Sequence, residues 1–379
     1  MNIRPQLAEN RKPPFWQRAL WITMGMRLAY SLFAAVAGWI QPANWQLIHS
    51  NALTENLPPP GHSAHYLLFG VWERFDTLWY LHIAAHGYDR PEAVVFFPLY
   101  PYLVRALGLL LPPMAAALLI STVASFFLFW GLQELLIGDE EESLVYRCVL
   151  FCAVWPASFI FFAGYPESLL FALIVWSLSL ARQERWPAAV ALCVCASLTK
   201  AVGMVVVVPL LVMAMRHKKR MAIPSLLAPL GSVAFLAYLH WTGHPAPTTA
   251  YAQYWHTSMA APWRTLWDSV HTLAHAPDGI LMLNLLFLIS VGILVVLSRL
   301  RGEYLLYSAV VVIALLCKET TPPLQSMARY LLIIFSAYAG LAHLLQGPRL
   351  SSKFALVCAA LMGINLGLLW LFLGWSLVL

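Results

Sequence analysis

Apolar residues in this chain gather into continuous runs instead of alternating with polar ones, and several runs reach the roughly 20 residues a helix needs to cross hydrocarbon. The pattern predicts transmembrane helices and argues against a β-barrel, whose strands alternate. A first span is predicted over Trp16–Ile40. The next apolar stretch, Phe96–Leu111, is short and interrupted by Pro98, Pro101 and Arg105, so it is expected to lie in or dip into an interface, ended by Pro112 and Pro113. From Met114 the chain is expected to cross to a loop at Gly138–Ser143, return over Leu144–Ala163, and cross again over Ser168–Leu180 to Arg182 and Arg185. A long apolar run with Lys200 at its middle then separates Arg185 from Arg216, Lys218, Lys219 and Arg220. Basic flanks on both sides predict a hairpin of two short helices. Ile223–Trp241 leads back, and further spans are predicted over Ile280–Leu297, Tyr304–Cys317 and Tyr330–Leu345, with a last one from Phe354 to about Leu377.

Composition agrees with this reading. Hydrophobic residues make up 61% and charged residues 11% of the 379, against about 45–50% and about 25% in soluble domains. The expected fold class is therefore all-α: one membrane domain over residues 1–379, a polytopic helical bundle with amphipathic helices in two external segments, 41–112 and 242–278. A formal charge of +6 would suggest nucleic acid in a soluble protein. Here it reads as topology, because Arg4, Arg11, Lys12 and Arg18 precede the first span and Lys and Arg are in excess in the alternate loops that follow. The N-terminus is thus expected in the cytoplasm and both long segments outside. The first apolar run has no small-residue cleavage site and reads as a retained span. The six cysteines lie in apolar segments without metal-ligand spacing and read as small buried hydrophobes.

Residues able to carry chemistry share one side of this topology. If helical from Asp76, the first external segment places Asp76, Trp79, Tyr80 and Ile83 on one face, a carboxylate beside rings suited to general-base work and to sugar stacking; an ordinary interfacial helix is the alternative. His82 and His86 stand at i and i+4, but the Glu that follows the first His in zinc helices is missing, so they read as polar surface. Phe96-Phe97-Pro98-Leu99-Tyr100-Pro101 fixes φ at two positions where the chain enters the membrane, or forms an aromatic belt. Glu167 follows Tyr165-Pro166 at the mouth between two spans, a costly place for a charge without a partner or a task. Lys200 inside an apolar run needs a phosphate or a carboxylate partner. Lys318 and Arg329 flank a late outer turn, where a mobile ammonium and a planar guanidinium are suited to grip a phosphate, or merely snorkel.

Read together, Arg74-Phe75-Asp76 through Gly87-Tyr88, then Phe96-Phe97-Pro98-Leu99-Tyr100-Pro101, resemble the PIG-V mannosyltransferase family, membrane glycosyltransferases of the GT-C fold. Trp155-Pro156-Ala157-Ser158 and Tyr165-Pro166-Glu167-Ser168 resemble that family's Asn-Pro-Ala-Ser and Tyr-Ser-Glu-Ser blocks, departing at Trp155 and Pro166. Leu198-Thr199-Lys200 and Arg329-Tyr330 resemble two later blocks, with Lys200 where Arg is more usual. The resemblance implies transfer of a mannosyl or related sugar from a polyprenyl-phosphate carrier to a lipid, glycan or protein acceptor, on the external face and with inversion. It implies Asp76 as general base, with Glu167 orienting acceptor or base. Arg74, Trp79, Tyr80, Tyr100, Tyr165, Lys200, Lys318 and Arg329 are the expected substrate contacts. Phe75, where the family has Trp, alters the aromatic detail. No cofactor is expected, although other GT-C enzymes use divalent ions. The chain looks like a prokaryotic relative placed in a plasma membrane. Two other classes fit the same charges: a transporter or lipid flippase, disfavoured by the lack of internal repeats, and a noncatalytic subunit of an assembly.

Overall fold

A computed structural model describes residues 13–41, 53–54, 57, 61–347 and 352–376. Arg4, Arg11, Lys12 and the expected end of the last span at Leu377 lie outside these residues, as does most of 42–60. The helices in chain order are α1 (Phe15–Ile40), α2 (Ala64–Leu68), α3 (Asp76–His86), α4 (Leu99–Leu107), α5 (Pro113–Leu136), α6 (Glu142–Val154), α7 (Glu167–Arg182), α8 (Trp186–Thr199) and α9 (Val207–His217). They continue as α10 (Ala222–Ser225), α11 (Leu230–Trp241), α12 (Pro247–Tyr254), α13 (Pro262–His275), α14 (Gly279–Leu297), α15 (Gly302–Leu316), α16 (Met327–Tyr330), α17 (Phe335–Leu344) and α18 (Phe354–Leu373). Among the described residues, five helical stretches are long and apolar enough to cross a membrane, and a sixth if a bent pair counts as one span. The chain is a polytopic helical membrane protein. Large apolar side chains point outward along α1, including Trp21 and Leu28, which water would not tolerate and lipid does.

Prolines stand at several of the places where the observed helices depart from the expected spans. The return predicted over Leu144–Ala163 stops at Val154, because Pro156 cannot continue a helix. The chain turns through Ala157 at φ 69°, and a short 3-10 turn covers Ser158–Phe162. The stretch predicted over Tyr330–Leu345 is bent by 82° between Ile333 and Phe335. Ile223–Trp241 is interrupted between α10 and α11, next to Pro229. The interfacial stretch shortens to α4, with Pro101 in its first turn, where a missing N–H is harmless. The hairpin around Lys200 is present. α8 ends there in extended backbone, and a 3-10 turn over Ala201–Val206 folds back so closely that a Cβ on Gly203 would strike the carbonyl of Ala196. Thr257–Met259 (β1) pairs antiparallel with Lys318–Thr320 (β2), a strand pair the apolar pattern does not predict, and this ties the segment between α12 and α13 to the end of α15.

Charged groups separate to two ends of the bundle. At one end Arg182 bonds Asp139, Arg301 bonds Asp139 and Glu303, Arg216 bonds Glu303, Lys218 bonds Glu184, and Arg18 bonds Glu142. α7 runs from that end to the other, and its 16 residues span about 24 Å at ~1.5 Å per residue. Its far end begins with Glu167.

Candidate active site

Asp76, Glu167, Lys200, Lys318 and Arg329 come from five separate elements of the chain and meet at that far end. Asp76 is the first residue of α3. Its carboxylate Oδ2 accepts from Arg329 Nη1 at 2.6 Å, and its backbone N–H donates to Tyr165 Oη at 3.3 Å. The residue before it, Phe75, has φ 48°, an outlier for a bulky side chain. The corner is held by ring contacts of Phe75 with Phe372 and Trp375 at 5.4 and 5.0 Å. Strain stored in this corner fixes where the carboxylate stands.

Glu167 opens α7, where the helix N-terminus favours a carboxylate. It is 2% exposed; Oε1 accepts from Lys200 Nζ at 2.7 Å and lies 3.5 Å from Arg329 Nε, while Oε2 is buried without a partner. Arg329 is 4% exposed and lies over the rings of Tyr165 and Tyr330 at 5.3 and 4.8 Å. The hydroxyl of Tyr330 accepts from both Arg329 Nη2 at 3.0 Å and Lys318 Nζ at 3.2 Å, and Lys318 also lies over the Tyr251 ring. Lys200 Nζ is 4.9 Å from the centre of the Tyr330 ring. Burial pushes the phenols of Tyr80, Tyr165 and Tyr251 up, so they stay neutral. Three cations and two carboxylates thus gather around the Tyr330 hydroxyl and ring.

The remaining expected contacts divide. Tyr80 is buried close to the charges of Glu167 and Asp76 and packs edge-on against Phe96 and Tyr100. Tyr100 supports the site from behind, since its hydroxyl pairs with Ser121, whose own hydroxyl donates to the Tyr165 carbonyl. Trp79 stacks on Phe96 and meets Trp255 edge-on, making an aromatic wall. Arg74 does not join the cluster: its guanidinium donates to the carbonyls of Leu373, Gly70 and Glu73 and to Tyr66, which makes it a bracket between the segment leading into α3 and α18. Tyr330 and Tyr251 were absent from the expected contacts. Their one signal was a tyrosine directly beside Arg329 and another in the second external segment. Among the described residues, no three His, Cys, Asp or Glu side chains gather as a metal would require. His82 pairs with Asp89 at 2.6 Å.

An apolar cavity of about 720 Å³ runs between α4, α5, α7 and α8, lined by residues including Leu103, Phe127, Leu169, Leu173 and Trp176. Leu169 lies two residues along α7 from Glu167, so the cavity reaches the same end of that helix as the charge cluster, on a different face of it.

No family model matches the chain, and no solved structure matches it. Two curated proteins do. One is the GPI mannosyltransferase 2 of Drosophila melanogaster, 28% identical over 113 residues, 26% of this chain and 25% of that protein. The other is the human GPI alpha-1,6-mannosyltransferase 2, 32% identical over 123 residues, 29% of this chain and 24% of that protein. The matched stretch spans about a quarter of these relatives, and over that stretch the chain is similar to GPI mannosyltransferases.

Proposed function

We propose that this chain is a membrane mannosyltransferase of the GT-C type, transferring a mannosyl or related sugar from a polyprenyl-phosphate carrier to an acceptor hydroxyl. The observation that carries the reading is the meeting of Asp76 with Arg329, and of Glu167 with Lys200 and Arg329, at the end of α7 that an apolar cavity also reaches. Arg329 occupies Oδ2 of Asp76 and fixes the carboxylate, so Oδ1 is the oxygen assigned to the acceptor's proton. The acceptor oxygen attacks the anomeric carbon as its proton passes to Asp76. The bond between that carbon and the phosphate oxygen breaks, and polyprenyl phosphate leaves from the opposite face, which inverts the configuration. Negative charge growing on the leaving phosphate is met by Lys200, Lys318 and Arg329, each such donor contributing up to a few kcal/mol. No step is assigned to a metal. Glu167 holds Lys200 and Arg329 together around one carboxylate oxygen.

The apolar cavity suits the polyprenyl chain, leaving its phosphate level with the cluster. Sidedness is supported by the opposite end, where Arg182, Arg185, Arg216, Lys218, Lys219, Arg220, Arg299 and Arg301 gather. Basic loops tend to remain in the cytoplasm, which supports a non-cytoplasmic face for the cluster, the outer surface if the membrane is a prokaryotic plasma membrane. The test is direct. Purified protein in lipid nanodiscs, given polyprenyl-phosphate mannose and an acceptor glycoside, releases polyprenyl phosphate in the wild type. Asp76→Asn abolishes that release. A transporter would move the lipid without cleaving it, and an intact donor after incubation would reject the transferase reading.

A further inference from the structure

The cations of the cluster converge on Tyr330, the last residue of α16. Ser326 stands before that short helix at φ 64°, the Asn284 side chain of α14 accepts from the Ala328 N–H at 3.1 Å, and the chain bends sharply after Ile333. The helix is thus pinned from both sides. The phenol oxygen of Tyr330 accepts from Arg329 Nη2 at 3.0 Å and from Lys318 Nζ at 3.2 Å. Lys318 and Lys200 lie 5.0 and 4.9 Å from the centre of the same ring. Guanidinium and ammonium groups only donate, so these two bonds fill the acceptor side of the oxygen and its own O–H points elsewhere. Among the described residues that O–H has no acceptor, and Lys318 has no carboxylate partner.

Arg329 also ties this hydroxyl to the base. Nη1 of its guanidinium holds Asp76 Oδ2 at 2.6 Å while Nη2 holds the phenol, so one planar group positions both. We infer that Tyr330 is a further catalytic residue, whose O–H donates a hydrogen bond to an oxygen of the carrier phosphate during transfer. This rests on the transferase reading above. In the sugar-loaded carrier the phosphate is a diester with one negative charge. When its bond to the anomeric carbon breaks, the electron pair stays on the phosphate oxygen and a second charge appears; the phenol keeps its proton throughout. A hydroxyl polarised by two cationic donors is a stronger donor than an ordinary one. Its bond to the phosphate strengthens as the second charge grows, so it acts on the transition state more than on the bound substrate. The other ionisable groups facing the phenol are Asp76 on α3 and Tyr251 on α12. Neither accepts from it: Asp76 Oδ2 is taken by Arg329, and the Tyr251 ring packs against Lys318.

The full chain in nanodiscs is assayed across pH for release of polyprenyl phosphate from polyprenyl-phosphate mannose, with methyl α-mannoside as acceptor. Tyr330→Phe removes the donor and is expected to lower kcat about a hundredfold, the usual cost of one transition-state donor, with a smaller change in donor KM. 3-Fluorotyrosine introduced at position 330 keeps the hydroxyl and makes it more acidic. The phenol donates only while protonated, so turnover falls as pH rises through its ionisation, and the fluorinated enzyme is expected to lose turnover at a lower pH than the wild type. A hydroxyl that only held Lys318 and Arg329 would do so equally well as a phenolate, and the alkaline limb would not move. The fluorinated enzyme therefore decides the question even where Tyr330→Phe fails to fold. An unshifted alkaline limb in that enzyme, or wild-type kcat in Tyr330→Phe, overturns the role of Tyr330 and leaves the transferase reading standing. A wild type that releases no polyprenyl phosphate at any pH overturns the transferase reading, and this inference with it.

Discussion

Replacing Asp76 by Asn separates chemistry from architecture more sharply than any other change. The substitution keeps the size of the side chain and an oxygen able to accept from Arg329, but removes the negative charge and the basicity. A positioned general base contributes typically 10²–10⁴-fold, so transfer should fall by about that factor, or about 2.7–5.4 kcal/mol at 1.36 kcal/mol per decade. The structural cost is smaller. Breaking a buried ion pair costs about 3–5 kcal/mol when a bare charge is left behind, but Arg329 would retain Tyr330 at 3.0 Å and Glu167 at 3.5 Å. A loss of about 1–2 kcal/mol is therefore expected, read as a modest drop in melting temperature. Release of polyprenyl phosphate is followed by thin-layer separation of labelled donor at saturating substrate, with a melting curve on the same preparation. A folded Asp76→Asn protein that retains more than a tenth of wild-type turnover would refute the assignment of the base.

Glu167→Gln leaves Lys200 and Arg329 facing each other around a neutral group, and is expected to destabilise the fold by about 3 kcal/mol or more in a thermal melt; adding Lys200→Met should recover part of the loss, a coupling that a double-mutant cycle measures. Leu173→Trp, which narrows the apolar cavity beside Trp176, should raise donor KM several-fold while leaving acceptor KM in place. Burial pushes the Glu73 carboxyl up, with Arg74 and His65 opposing, so the folded state holds its proton more tightly than the unfolded chain. Stability linked to this group is greatest below the ordinary Glu range of ~4.3 and declines as pH rises towards the folded-state value. Glu73→Gln should accordingly raise the melting temperature at neutral pH and have no effect in acid.

The helical class and most spans were legible because a bilayer demands long apolar runs and announces them in the sequence. Lys200 was legible as a break because a lone ammonium in such a run has few places to go. What periodicity did not reveal was geometry set by backbone: the turn at Ala157, the bend after Ile333 and the pairing of Thr257–Met259 with Lys318–Thr320 depend on contacts between segments far apart. The charged members of the cluster were visible because isolated charges near span ends are few. Tyr330 and Tyr251 were not, since the outer segments hold many aromatic residues and only assembly decides which rings meet Lys318. Arg74 stood out by its charge and its neighbours in sequence, yet the fold spends it on carbonyls.

The five charges arrive from a strained corner, a helix start, a hairpin tip, a strand and a four-residue helix, no two of them neighbours in sequence. No excised fragment can hold the constellation, and loosening any one of those segments dissolves it. Heat inactivation and loss of tertiary packing should therefore coincide in a single transition, without an interval in which a folded bundle survives but is inert.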